Sequence, residues 1–166
     1  MKTERDFGYT CFKTDILKTI GYHTCLSIGN PDDVKRDAPY YSKIRNDGTP
    51  PFLGEGYYFW DNNLDIAHWW GSRHCDGEYF ILEYELNFND DLMIDLVSAE
   101  GKAKFLEITE MFKSRNPGAK YTNCRVIEDI KQTYRKRGIQ APYRYVKGEQ
   151  SFNLENKYII IFCAFE

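Results

Sequence analysis

Three groups of side chains in this chain have the types and spacing to do chemistry. The first is the run Gly54-Glu55-Gly56-Tyr57-Tyr58-Phe59-Trp60-Asp61-Asn62-Asn63, which continues through Leu64-Asp65-Ile66-Ala67-His68 into Trp69-Trp70-Gly71. Its glycines tolerate backbone angles that Cβ-bearing residues resist, and they let another chain segment or a flat ligand approach closely. Tyr57 to Trp60 is aromatic at every position, which suits a strand covered on both faces. Asp61, Asn62 and Asn63 are good helix N-caps, and Leu64, Ala67 and His68 follow at one-face helical spacing. Tyr58 and Trp69 therefore stand on adjacent elements and could clamp a planar group between them. Buried aromatics are also ordinary core, and the run by itself fits either reading.

The second group is Tyr22-His23-Thr24-Cys25. A strand histidine can donate to a ligand hydroxyl, or it can be a hydrogen-bonded core or surface residue. Cys25 shares a strand face with His23, and a histidine that lowers a thiol's pKa makes a nucleophile. No third orienting residue accompanies that pair. The third group is the basic run Lys131-Gln132-Thr133-Tyr134-Arg135-Lys136-Arg137. Cations at a helix C-terminus complement the macrodipole, so the run reads first as a solvated helix end.

The elements that must position these groups follow from periodicity. Residues 14–20 form a short amphipathic segment that Gly21 stops, and a strand runs from Tyr22 to Ile28. Gly29 to Pro51 is polar and carries four prolines, which predicts a long surface loop with a helical turn near Asp32 to Arg36. Glu78 to Phe88 is the clearest strand, and Leu92 to Leu96 is a second short apolar piece. Phe105, Ile108, Met111 and Phe112 give Ala99 to Lys113 a helical period. Asn123 to Arg137 is another helix, with Asn123 as N-cap and Gly138 just past its end. Lys157 to Phe165 is a near-continuous apolar run, as in a central buried strand. Strands and helices without strict βαβ alternation give an α+β fold.

At 166 residues the expectation is a single domain spanning 1–166. The net charge of −3 supplies no general attraction to nucleic acid. Five cysteines form no CxxC pair and no metal-ligand spacing, which predicts reduced thiols and no metal. Without an apolar signal region or a membrane-length stretch, the expectation is a soluble, cytoplasmic protein with no membrane partner. A toxin exported without a cleaved signal would look the same.

Taken together, the motifs resemble the diphtheria-toxin-like, poly-ADP-ribose-polymerase-type ADP-ribosyltransferases, which carry His, Tyr and Glu on successive core strands. Tyr22-His23-Thr24 resembles that family's first motif, with Thr24 where glycine is usual. Gly54-Glu55-Gly56-Tyr57-Tyr58-Phe59-Trp60-Asp61 resembles the second, far more closely. The resemblance implies an ADP-ribosyltransferase-like split β-sheet core with flanking helices, and NAD as substrate. It implies that His23 holds the nicotinamide-side ribose hydroxyl and binds the carboxamide through its own backbone, that Thr24 is a further NAD-binding residue, and that Tyr58 and Trp69 stack the pyridinium ring. The third motif departs from the family: Lys157 stands where a glutamate is expected, which leaves Glu155, Glu149 or no catalytic glutamate at all. Asn153 stands two residues before Glu155, so the arginine-directed subclass is not supported.

The activity implied is mono-ADP-ribosyl transfer from NAD to a macromolecular acceptor, protein or nucleic acid, as in small bacterial or phage toxins and effectors. An antitoxin or immunity partner would accompany such a toxin. NAD glycohydrolysis and a catalytically degenerate module that holds NAD or ADP-ribose are the alternatives.

Overall fold

The computed structural model describes residues 16–27, 29–151 and 158–165. Along the chain the elements are β1 (Ile16–Leu26), α1 (Pro31–Asp37), β2 (Tyr57–Asp61), α2 (Leu64–His74), β3 (Tyr79–Asn89), β4 (Met93–Asp95), α3 (Ala99–Arg115), α4 (Asn123–Lys136), β5 (Tyr145–Ser151) and β6 (Tyr158–Ala164). A single 3-10 turn, Asp90–Leu92, joins β3 to β4.

The strands form a six-stranded mixed sheet in the order β3-β1-β2-β6-β5-β4. Only β4 and β5 pair in parallel; every other neighbour is antiparallel. The chain's connectivity forces this sheet to roll. Its two edge strands, β3 and β4, would lie about 24 Å apart if five spacings of about 4.8 Å were laid flat. The three-residue turn between them reaches at most about 14 Å. The edges must therefore approach each other. Ring contacts show that they do: Phe88 of β3 lies 4.5 Å from Phe162 of β6 and 4.8 Å from Tyr145 of β5, centroid to centroid. Phe59, Phe88 and Phe162 are the buried centre of this inner face.

The outer face is covered by helices. Phe105 of α3 and Val126, Ile127 and Ile130 of α4 pack on Ile94, Val146, Ile161 and Cys163 from β4, β5 and β6. In α4 those three residues share one face, as helical spacing requires. Farther along the sheet α2 lies against β1 and β3, and the Thr24 hydroxyl donates to the Ala67 carbonyl at 3.1 Å.

Three expectations need correction. Gly21 does not stop a segment; β1 runs straight through it. A Cβ at this position would overlap Leu86 and Phe59, so the glycine is a gap in the strand's inner face that neighbouring side chains fill. The N-cap of α4 is Thr122, whose hydroxyl accepts from the Arg125 N–H, one residue before the expected Asn123. β5 is an addition, because Tyr145-Val-Lys-Gly-Glu-Gln-Ser151 looks polar in sequence; Val146 and Gly148 alone carry its buried outer side. The remaining elements fall within a few residues of where periodicity places them, and the mixed α/β class is as expected. Among the described residues no helix is long and apolar enough to cross a membrane.

Candidate functional site

The Gly54-Glu55-Gly56 turn that leads into β2 is locked by two other elements. Gly54 adopts φ +88°, where a side chain is strained, and it lies against Ile127 and Glu128 of α4. A Cβ on Gly56 would meet the Ala164 carbonyl oxygen and Cys163 Sγ of β6. The Glu55 N–H donates to Glu128 Oε1 at 2.9 Å, and Lys131 Nζ donates to both the Glu55 carbonyl and Glu128 Oε1. The close approach that these glycines permit is thus made by the protein's own backbone and helix.

Tyr58 completes the lock. Its hydroxyl accepts from the Leu53 N–H at 2.8 Å and donates to the Gly54 carbonyl at 2.6 Å. Burial holds this phenol far above the usual tyrosine range, so it stays protonated. With its oxygen committed to the turn, Tyr58 offers only ring surface to anything beside it.

Alternation along β2 puts Phe59 inside the rolled sheet and Tyr58 and Trp60 outside. Those two rings form the floor of a groove of about 370 Å³. Ile161 of β6 and Gln150 of β5 extend the floor, and Trp70 of α2 forms one wall. The irregular segment 42–52 also lines the groove, contributing Ser42, Lys43, Arg45, Thr49 and Phe52. Trp60 and Trp70 lie 6.4 Å apart with their planes tilted by 48°. Neither Lys43 nor Arg45 forms a salt bridge with any described residue, and no carboxylate among the described residues lines the groove. The arrangement is an aromatic slot beside two cations, of which Arg45 also feels the charge of Asp47; it suits a flat ring joined to an anionic group.

His23 borders the groove, yet its imidazole is committed to the fold. Nδ1 lies 2.9 Å from the Tyr58 carbonyl, and the Tyr40 N–H donates to Nε2 at 3.1 Å. Only the neutral ring protonated on Nδ1 satisfies both bonds. Burial lowers its pKa, the bond to Tyr58 opposing, in keeping with that tautomer. His23 thereby ties β1 to β2 and to the segment that carries Lys43 and Arg45. Thr24 also lines the groove, its hydroxyl being held by Ala67.

Of the residues singled out by sequence, the structure brings His23, Thr24 and Tyr58 to one groove. Trp70 rather than Trp69 lines it. The buried line of α2 runs through Ile66, Ala67 and Gly71, and a step of about 100° per residue turns Trp70 toward that line and Trp69 away. Trp69 instead carries the Arg73 guanidinium 5.3 Å above its ring. Glu149 faces away from Gln150 by strand alternation and pairs with Lys102 at 2.6 Å. Glu155 lies outside the described residues.

Sequence reasoning missed Trp60, Trp70, Lys43, Arg45 and Gln150. Trp60 was signalled by its i+2 spacing from Tyr58; the loop cations had no local signal.

Comparison with family models, curated proteins and solved structures returned no match. The site therefore rests on its own geometry. Cys25, Cys75, Cys124 and Cys163 are all buried free thiols. Burial raises the Cys25 pKa, with Cys75 adding to the shift, which is the reverse of what an activated nucleophile needs. Cys163 is pushed up to about 12, chiefly by burial. Among the described residues no group of three or more His, Cys, Asp or Glu side chains is placed to hold a metal ion.

Proposed function

We propose that the groove over Tyr58 and Trp60 binds NAD and that the protein is a mono-ADP-ribosyltransferase. One observation carries this reading: aromatic rings of Tyr58, Trp60 and Trp70 share a cavity with the cations Lys43 and Arg45, neither of which forms a salt bridge with a described residue. A pyridinium ring is attracted to aromatic faces, and a pyrophosphate to exposed ammonium and guanidinium groups. NAD joins both groups in one molecule. In the reaction the bond between the anomeric carbon and the nicotinamide nitrogen breaks. The bonding electron pair leaves with nicotinamide, and an acceptor nucleophile attacks the positively charged sugar carbon. A carboxylate beside that carbon stabilises the developing charge. Glu155 is the residue we assign to that task.

A second reading is a module that holds NAD or ADP-ribose without turnover. Gln150 in place of a carboxylate on the groove floor, with Glu149 tied to Lys102, favours it. Incubation with NAD labelled on the adenylate phosphate, alone and with lysate, separates the outcomes. Nicotinamide release together with label on a macromolecule, both lost in Glu155→Gln, supports the transferase. Nicotinamide release without label indicates a glycohydrolase, and NAD binding without release indicates the module. Neither binding nor release refutes the NAD site.

A further inference from the structure

The basic run at the end of α4 lies beside a second cavity. It encloses about 230 Å³ and is separate from the groove. Lys131 and Arg135 reach it from α4, and Arg144 reaches it from the segment entering β5. Tyr41, Tyr143 and Phe165 supply aromatic surface. No acidic residue lines this cavity among the described residues. Its three cations have different roles. Lys131 is engaged by Glu55, Glu128 and the Phe165 ring, 3.9 Å from its Nζ. Arg135 and Arg144 are exposed, and neither has an acidic partner among the described residues.

A basic helix end alone would be explained by the macrodipole. Arg144 is not on that helix, so the dipole does not account for it. Two elements have brought free guanidiniums to one aromatic-lined hollow, in a protein whose net charge is −3. Lys136 and Arg137, next to Arg135, are exposed as well. Guanidiniums to hold phosphates and rings on which a base can stack are the two parts of a single-strand platform. A duplex keeps its bases stacked inside and offers such rings nothing to stack on.

We infer that this cavity binds single-stranded nucleic acid, with Arg135 and Arg144 on the phosphates and a base against the aromatic wall. Tyr41 lines this cavity and the next residue, Ser42, lines the groove, so a strand held here lies one short segment from the site proposed for NAD. The binding itself does not depend on that proposal.

The test is fluorescence anisotropy of a labelled deoxythymidine 12-mer without NAD, in 50 and 200 mM salt. Two neutralised phosphates on a single strand predict a slope of about −1.4 in log affinity against log salt, so about sevenfold weaker binding at the higher salt. The double variant R135Q/R144Q, checked for an unchanged melting temperature, should flatten that slope by about the same amount. K104Q/K113Q, which removes two charges from α3, should bind as wild type does. Absence of binding at 50 mM salt would overturn the proposal, as would equal loss in both double variants. Equal affinity for a duplex overturns the single-strand assignment, and equal affinity for polyglutamate overturns nucleic acid as the ligand. Because NAD is absent throughout, failure of the groove reading leaves every arm of this test unchanged.

Discussion

Phe59 sits between Tyr58 and Trp60 on one five-residue strand, but the two faces of that strand meet different surroundings. Inside the rolled sheet Phe59 lies against Tyr84 with ring centroids 5.5 Å apart, and Phe162 and Phe88 fill the rest. Ring meets ring, and no polar atom of Phe59 needs a partner. Outside, Tyr58 has its hydroxyl anchored in a turn, and Trp60 lies beside Trp70 in a groove that the irregular segment 42–52 also lines. Strand alternation sorts the side chains, while the element opposite decides whether they become core or site. A sheet face covered by another half of the same sheet closes, and one covered by a helix and an irregular segment stays open.

Truncation on the closed side should cost most. Phe162 is fully buried, and Phe162→Ala should lower unfolding free energy by about 3–5 kcal/mol in a denaturant titration. A cost below about 1 kcal/mol would mean that the inner cluster is not the core described.

On the open side the effect should fall on ligand affinity and leave folding nearly unchanged. Trp70→Ala should weaken NAD binding by about 1–2 kcal/mol in calorimetry, and Trp69→Ala by clearly less. The reverse order would put the α2 aromatics in the register implied by the family resemblance and refute the orientation seen here.

Tyr58→Phe tests the boundary between the two regions. It keeps the ring but leaves the Leu53 N–H and Gly54 carbonyl without their shared partner, a loss of about 1–2 kcal/mol in stability. NAD affinity should stay within about twofold of wild type if the ring alone contacts the ligand. A large affinity loss at unchanged stability would show that the hydroxyl serves the ligand.

The smallest expected effect is a pH dependence from His23. Its folded pKa lies below the unfolded value of about 6.5, so the folded protein binds fewer protons than the unfolded chain in this window. The His23 contribution is fully present above that unfolded value and is lost as pH falls through it toward the folded one. His23→Gln should remove this part of the stability difference between neutral and mildly acidic solution. Parallel curves for the two proteins would assign the acid sensitivity elsewhere.

Local pattern made much of this protein legible. The aromatic run of β2, the Asn63 cap of α2, the β-branched β6 and the amphipathic faces of α3 and α4 each follow from residue type and period, because short-range sterics and hydrogen bonding set them. The same sequence pointed to Tyr58, His23 and Thr24, and all three border the groove. It left β5 unread, since a half-polar strand becomes recognisable only when β6 and β4 pair with it. It also put a stop at Gly21, where the missing side chain answers to Leu86 and Phe59 from other strands. Which tryptophan enters the groove depends on how α2 is rotated against β1 and β3. Which cations face it depends on where the loop 42–52 lies. Those outcomes were decided by tertiary packing, because a helix's rotation and a loop's path are fixed by contacts with residues far away in the chain.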